Sequence, residues 1–180
     1  NLIGTISKDQ PILAFDRVRY VGDPVALVAA RTEEASEEAS KKVVVVYEDL
    51  PFINSPEEAL RPYAPLIHDN GNLLLEFNLI KGDVQAGFKE AEIIIEETYS
   101  TTWIDHAYLE PDAGVAYLDD EGRITVICPT QNVHYDQKDV ALTPAVPLEK
   151  VRVIQSVTGG GFGGRLDITV QCFLALAVYH

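Results

Sequence analysis

Apolar positions alternate with polar ones, or run together, over residues 12–20 and 25–30, and Gly22-Asp23-Pro24 separates the two stretches. That spacing predicts two strands joined by a turn. Thr32 has the chemistry of a helix N-cap, Glu33 and Glu34 place negative charge in the first turn, and Lys41 and Lys42 stand at the far end. A helix over 33–42 follows. The β-branched run at 43–47 predicts a buried strand, closed by the acidic, proline-containing turn at Glu48, Asp49 and Pro51. Ser55-Pro56-Glu57-Glu58 is a capping box with proline at the first helical position, and predicts a short helix.

From 61 to 82 the pattern weakens, interrupted by Pro62, Pro65, Asn70, Gly71 and Asn72, and an extended linker is expected there. Beyond it, a short helix over 83–91 and a strand over 93–100 are predicted. Residues 115–118 and 124–128 are two further strands, and Asp119-Asp120-Glu121-Gly122 between them predicts a hairpin. A helix over 134–142, a strand over 151–157 and a largely buried helix over 168–179 complete an α+β pattern. No internal repeat interrupts it.

Charge narrows the functions this chain can serve. With 28 acidic and 14 basic side chains its formal charge is -14, which repels phosphate backbones and anionic headgroups, so neither nucleic acid nor a membrane surface is an expected partner. No apolar run approaches the ~20 residues of a membrane span, and no secretory signal pattern is present, so cytoplasm is the default compartment. Cys128 and Cys172 are far apart and without neighbouring ligands, so both are expected to be buried small hydrophobes rather than a disulfide or metal site. The chain starts at Asn1 and ends in an apolar segment with no helix-stop signal. It reads as part of a longer polypeptide.

Three segments carry candidate chemistry. Thr158-Gly159-Gly160-Gly161-Phe162-Gly163-Gly164-Arg165 holds five glycines within six residues, between a predicted strand and a predicted helix. Ordering so many glycines is costly, and bare backbone can approach a ligand closely and point N–H groups at electron-rich atoms. The same composition suits a hinge or tight turn. A dinucleotide fingerprint fits poorly, because no acidic ribose-binding residue can follow about twenty positions on, and no lysine with serine or threonine closes a Walker loop. Pro129-Thr130-Gln131-Asn132 directly follows a predicted strand, where Gln131 could offer its amide to a cofactor, or these polar residues could simply make turn hydrogen bonds. In His106-Ala107-Tyr108-Leu109-Glu110-Pro111 the histidine and glutamate form one pair without a third ligand, which suits a structural hydrogen bond better than a metal.

In order along the chain, these segments resemble the molybdenum hydroxylases of the xanthine dehydrogenase and aldehyde oxidase family. The stretch from Asp16-Arg17-Val18-Arg19-Tyr20-Val21-Gly22-Asp23 through Tyr47-Glu48-Asp49-Leu50-Pro51 is similar to the latter part of their α/β hammerhead domain. From Lys81-Gly82-Asp83 onward the chain resembles the start of their molybdopterin-binding region. His106 to Pro111 resembles the family's aromatic-Leu-Glu stretch, Thr130-Gln131-Asn132 its Thr-Gln motif, and Gly159 to Arg165 its glycine loop with a central phenylalanine. The implied layout is the end of a hammerhead domain at 1–60, a linker at 61–82, and the N-terminal portion of a molybdopterin-binding domain at 83–180.

The resemblance implies a molybdopterin cofactor, in its cytosine dinucleotide form, held by Gln131, Gly160, Gly161, Phe162, Gly163 and Arg165. Gln131 would hydrogen-bond a terminal group on molybdenum, and backbone N–H groups around Phe162 and Gly163 would face another oxygen and the pterin. The pterin sulfurs hold the metal, so no protein ligand is required. The implied reaction hydroxylates an N-heterocycle or aldehyde with oxygen from water and passes electrons to Fe2S2 clusters and FAD on other domains or subunits. No residue of this chain is expected to be catalytic, because the family's general base lies beyond residue 180 and Glu110 is a poor substitute. The chain alone is expected to be inactive without the rest of the molybdopterin-binding domain, or a second molybdenum subunit, and iron–sulfur and flavin partners. Purine-oxidising relatives have glutamate where this chain has Leu166, which cannot hydrogen-bond a purine. Leu166-Asp167 with Val170-Gln171-Cys172 is more similar to the nicotinate dehydrogenase branch. The alternative is a non-catalytic assembly module that docks a partner chain through its glycine loop.

Overall fold

The computed structural model describes residues 1–180. In chain order its elements are β1 (Leu2–Ile3), β2 (Gln10–Pro11), α1 (Glu33–Ser40), α2 (Pro56–Ala59), α3 (Val84–Glu90), β3 (Val115–Leu118), β4 (Ile124–Cys128), α4 (Val133–Leu142), β5 (Val151–Gln155) and α5 (Gln171–Tyr179). They fall into two compact units, one built from Asn1–Asp49 with His106–His180 and the other from Leu50–Asp105.

The core of the first unit is a three-stranded sheet in the order β3-β4-β5. The predicted hairpin is present, with Val115 opposite Ile127 and Leu118 opposite Ile124. Asp119 shapes its turn by accepting hydrogen bonds from the Glu121 N–H (3.0 Å), the Arg123 N–H (2.9 Å) and the Thr125 hydroxyl (3.1 Å). Those donors, the Arg123 backbone foremost, bring its carboxyl down to about 2. β5 lies parallel to β4, Ile124 against Val151 and Cys128 against Gln155. A parallel partner requires a crossover, and α4 provides it. Val126, Cys128, Val140, Cys172 and Ala175 are completely buried where β4, α4 and α5 meet. Both cysteines are therefore core residues, as expected, and burial pushes each thiol up to about 12. Neither is a thiolate at neutral pH.

The N-terminal segment packs on this core. Asp139 of α4, almost fully buried, accepts from the Gly4 N–H and forms an ion pair with Lys8. Between those two residues, the Thr5 hydroxyl donates to the Leu166 carbonyl at 3.3 Å, directly after the glycine loop.

Local signals hold throughout. Thr32 caps α1 by accepting from Ala35 N–H, Ser55 accepts from Glu58 N–H, and Asp83 caps α3. Helix α1 stops at Ser40 and α5 starts at Gln171, three residues later than predicted. The strand predicted over 151–157 ends at Gln155. The segments 12–20, 25–30, 43–47 and 93–100 form no ladder, contrary to expectation. The turn between the first two exists, with Ala14 N–H donating to the Pro24 carbonyl at 2.7 Å, but one bond is not a ladder. These apolar stretches find no pairing strand within the 180 residues, and Val44, Val46, Ile93 and Ile95 are at least four-fifths exposed. On α5, by contrast, Phe173, Leu174 and Leu176 are half-buried against the sheet. Much of the exposed apolar surface lies on the unladdered segments, with Val115 and Leu118 of β3 and Tyr179 of α5 adding to it.

Candidate functional site

Parallel pairing decides where the site forms. β4 and β5 run in the same direction, so the segments that leave their carboxyl ends emerge at the same edge of the sheet, the usual place for ligands in parallel arrangements. One of those segments is Pro129 to Asn132 and the other is the glycine loop. Ser156 N–H donates to the Cys128 carbonyl at 3.0 Å, and Gln155 Nε2 donates to the Thr130 carbonyl at 2.8 Å. The two strand ends are thereby tied together just before they diverge.

Gln131 then joins the loop directly. Its Oε1 accepts from Gly163 N–H at 3.0 Å and Arg165 N–H at 3.3 Å, and its own backbone N–H donates to the Arg165 carbonyl at 3.1 Å. The acceptor end of the amide is spent on the loop, so the donor end, Nε2, is what an exposed Gln131 can offer a ligand. The family resemblance directs the Gly163 N–H at a ligand oxygen, but in the structure that N–H donates to Gln131 instead. Asn132, next in sequence, caps α4 through Oδ1.

The loop has an inner and an outer face. A Cβ on Gly159 would lie 1.8 Å from Glu110 Oε2, one on Gly161 would lie 2.6 Å from Gln131 Oε1, and one on Gly164 would lie 2.1 Å from the Tyr108 hydroxyl. These three glycines are needed so that protein can press against the backbone. Gly163 is different, with φ at +90° and no atom within 4 Å of a hypothetical Cβ. Phe162 beside it is in the left-handed region at φ 49° and is 76% exposed, its ring folded back over Gly160. A bulky residue held at positive φ stores about 1–3 kcal/mol of strain, which the surrounding loop must offset.

Arg165 lies on the inner face, 1% exposed. Its guanidinium sits 4.2 Å from the Tyr108 ring, pairs with Glu110 (3.0 Å) and Asp112 (2.9 Å), and donates to the carbonyls of Gly160 and Glu110. His106 stacks on Tyr108 with ring centroids 5.7 Å apart. The Glu110 carboxylate is thus ion-paired with Arg165, although neither of its oxygens has a hydrogen-bond partner. Among the described residues no group of three His, Cys, Asp or Glu could hold a metal ion.

One buried group behind the site left no signal in the sequence pattern. Asp136, in the first turn of α4, is fully buried and accepts from Gln171 Nε2 at 3.2 Å, while Gln171 Oε1 takes the Thr169 and Val170 N–H groups ahead of α5. Desolvation raises its carboxyl above the ordinary value of 3.8, against the lowering influence of Thr130 and Gln171. The folded protein therefore takes up this proton before the unfolded chain does as pH falls. Its contribution to stability grows on acidification through the raised value, is complete below 3.8, and is lost as pH rises. Asp136→Asn should melt higher than the parent at neutral pH, with the advantage shrinking toward acid. Melting curves of both proteins across that range check it, and a pH-independent difference would contradict the assignment.

Comparison with known proteins bears on the same residues. The family described as "Molybdopterin cofactor-binding domain" matches residues 67–180, and the one described as "Aldehyde oxidase and xanthine dehydrogenase, a/b hammerhead domain" matches residues 1–51. The chain is 48% identical over 180 residues to the nicotinate dehydrogenase large molybdopterin subunit of Eubacterium barkeri, covering all of this chain and 42% of that one. It is 38% identical over 151 residues to the xanthine dehydrogenase molybdenum-binding subunit of Escherichia coli O157:H7, covering 84% of this chain and 20% of that one. The solved aldehyde oxidoreductase of Desulfovibrio gigas superposes with a TM-score of 0.88 at 29% identity, over 96% of this chain and 19% of that one. The chain thus spans less than half the length of each of these relatives.

Proposed function

This chain belongs to the xanthine dehydrogenase and aldehyde oxidase family of molybdenum hydroxylases, and from that premise we propose that it supplies molybdopterin-binding loops to a larger oxidoreductase. The observation that carries the reading is the join at the sheet edge, where Gln131 Oε1 is held by the loop's Gly163 and Arg165 N–H groups. Donor chemistry fits such a group, since a pterin that brings its own sulfur ligands asks nothing of Cys128 or Cys172. When bound, the cofactor supplies the redox chemistry, in which an electron-poor carbon gains an oxygen from water and a pair of electrons leaves.

This chain's own residues bind and orient. Gln131 Nε2 donates to an electron-rich atom of the cofactor, Gly163 lets it approach the open side of the loop, and Phe162 screens it from water. Gly160 and Gly161 allow the tight course that puts them there. Holding the amide by its oxygen fixes which end faces outward, so the donor is set before the ligand arrives. No residue of this chain serves as the general base, and that proton is handled elsewhere in the complete protein.

The layout follows the same reading, with residues 1–60 as the end of a hammerhead domain, 61–82 as a linker and 83–180 as the first part of the molybdopterin-binding domain. Partners are the remainder of that domain or a second molybdenum subunit, together with Fe2S2 and FAD carriers, and the cofactor is taken in its cytosine dinucleotide form. Leu166 disfavours a purine, and with the identity to the nicotinate dehydrogenase subunit it favours a nicotinate-like N-heterocycle over an aldehyde. No helix is long and apolar enough to cross a membrane, and the cytoplasm is the proposed compartment.

Gln131→Ala and Gly163→Val in the complete enzyme test the reading. The expected result is at least a tenfold weaker retention of molybdenum, the scale on which groups supporting a metal act, with subunit assembly unchanged on gel filtration. If both variants retain metal and turnover, the loop is a docking element for a partner chain and the proposal fails.

A further inference from the structure

The geometry points to Arg165 as a positioning residue whose guanidinium faces away from the cofactor and clamps the glycine loop to Glu110 and Asp112. The inference rests on the cofactor reading for its purpose, but its physical content lies in this chain alone. A basic residue ending a glycine-rich loop invites the opposite assignment, a cation aimed at a phosphate or an oxo group.

The partners of the guanidinium decide between the two. An arginine carries its five N–H groups on three nitrogens. In this loop Nε serves the Gly160 carbonyl, Nη2 serves the carbonyl and carboxylate of Glu110, and Nη1 pairs with Asp112. All three nitrogens face protein atoms, Nη1 through its ion pair with Asp112 alone because that contact lacks hydrogen-bond geometry, and one flat face of the guanidinium lies 4.2 Å from the Tyr108 ring centroid. The side chain is 1% exposed and sits between two carboxylates, so its immediate surroundings carry a net charge of -1. An incoming anion meets neither a reachable donor nor a positive field.

The clamp does hold the parts that face the cofactor. Nε fixes the Gly160 carbonyl at the start of the loop, while the Arg165 backbone N–H at the other end donates to Gln131 Oε1. One residue thereby closes the loop on itself and seats the Gln131 amide. Glu110 in turn fits under Gly159 only because that glycine has no side chain. Tyr108, Glu110, Asp112, Gly159, Gly160 and Arg165 make one interlocked unit. Lysine has neither the planar fork nor the stacking face, so it cannot replace arginine in this role despite equal charge.

Hydrogen exchange on the cofactor-free complex tests this without relying on turnover. Arg165→Lys and Glu110→Gln should each raise exchange of the hydrogen-bonded 163–165 amides by at least tenfold, while β4 stays within about twofold of the parent. Asp112→Asn, at an exposed carboxylate, should act in the same direction but more weakly, and keeps the test valid if a stronger variant fails to assemble. Unchanged loop exchange in all three variants would overturn the inference, and so would equal loss of protection in β4, which would signal general destabilisation. Molybdenum content separates the two proposals. Should Gln131→Ala and Gly163→Val both retain metal and turnover while the exchange pattern holds, the clamp stands and the cofactor reading falls.

Discussion

Gly159→Ala should destabilise the protein by about 3 kcal/mol, the lower end of what is lost when one partner is taken from a buried ion pair. Backbone strain is not the cause, because Gly159 is absent from the residues at positive φ. The cause is a single methyl group placed 1.8 Å from Glu110 Oε2, with Leu109 Cβ at 3.2 Å. A long flexible side chain would swing aside, but Glu110 is held by Arg165 through both its carboxylate and its carbonyl, and moving it leaves the buried guanidinium with Asp112, an exposed carboxylate, as its remaining charged partner. Gly163→Ala is the instructive control. That methyl meets nothing within 4 Å, so only the φ of +90° opposes it, and about 1 kcal/mol is expected. Urea unfolding of the two variants should reproduce this order. Equal midpoints would mean that Glu110 is not held in place, and the clamp would lose its support.

The contrast between these neighbouring glycines shows what the sequence could disclose about the site. The five glycines announced a loop with a purpose, and Thr130-Gln131 announced a polar group at a strand end. What brings them together is the parallel register of β4 and β5, and parallel pairing leaves no mark as local as a hairpin turn. The carboxylate partners of Arg165 lie more than fifty residues upstream, on either side of Pro111, where Glu110 read only as half of a histidine pair.

The same distinction runs through the fold. Caps at Thr32, Ser55 and Asp83 and the Asp119 turn depend on residues within six positions of one another, so their chemistry is complete in the local sequence. Extended segments such as 43–47 state a preference for a half-buried, β-branched surface, but a ladder also needs a neighbour, and no sequence window contains that neighbour. The relatives are far longer than this chain, so the absence of a pairing strand within it is no evidence against the extended reading.

A second large effect is expected at Gly114, where β3 begins beneath α5. A Cβ there would lie 2.7 Å from Leu174 Cδ1, 2.8 Å from the Ile127 carbonyl oxygen and 3.1 Å from Cys128 Cβ. Leu174 could rotate, but the other two atoms belong to the central strand, where Cys128 is completely buried. Alanine must therefore push β3 from β4 or lift α5, and overpacking of that kind costs about 3 kcal/mol at the upper end of its usual range. Gly87 in α3 calibrates the measurement in the other direction, because a Cβ there meets nothing within 4 Å and alanine in an exposed helix gains about 0.5–1 kcal/mol. Opposite signs for the same chemical change in one protein would isolate packing as the cause. The effect at Gly114 should also reach the site, since β4 delivers Gln131 and α5 anchors the far end of the glycine loop. A Gly114→Ala protein as stable as the parent would mean that α5 does not bear on β4 as closely as described, and that the sheet edge is less firmly set than the proposed cofactor site requires.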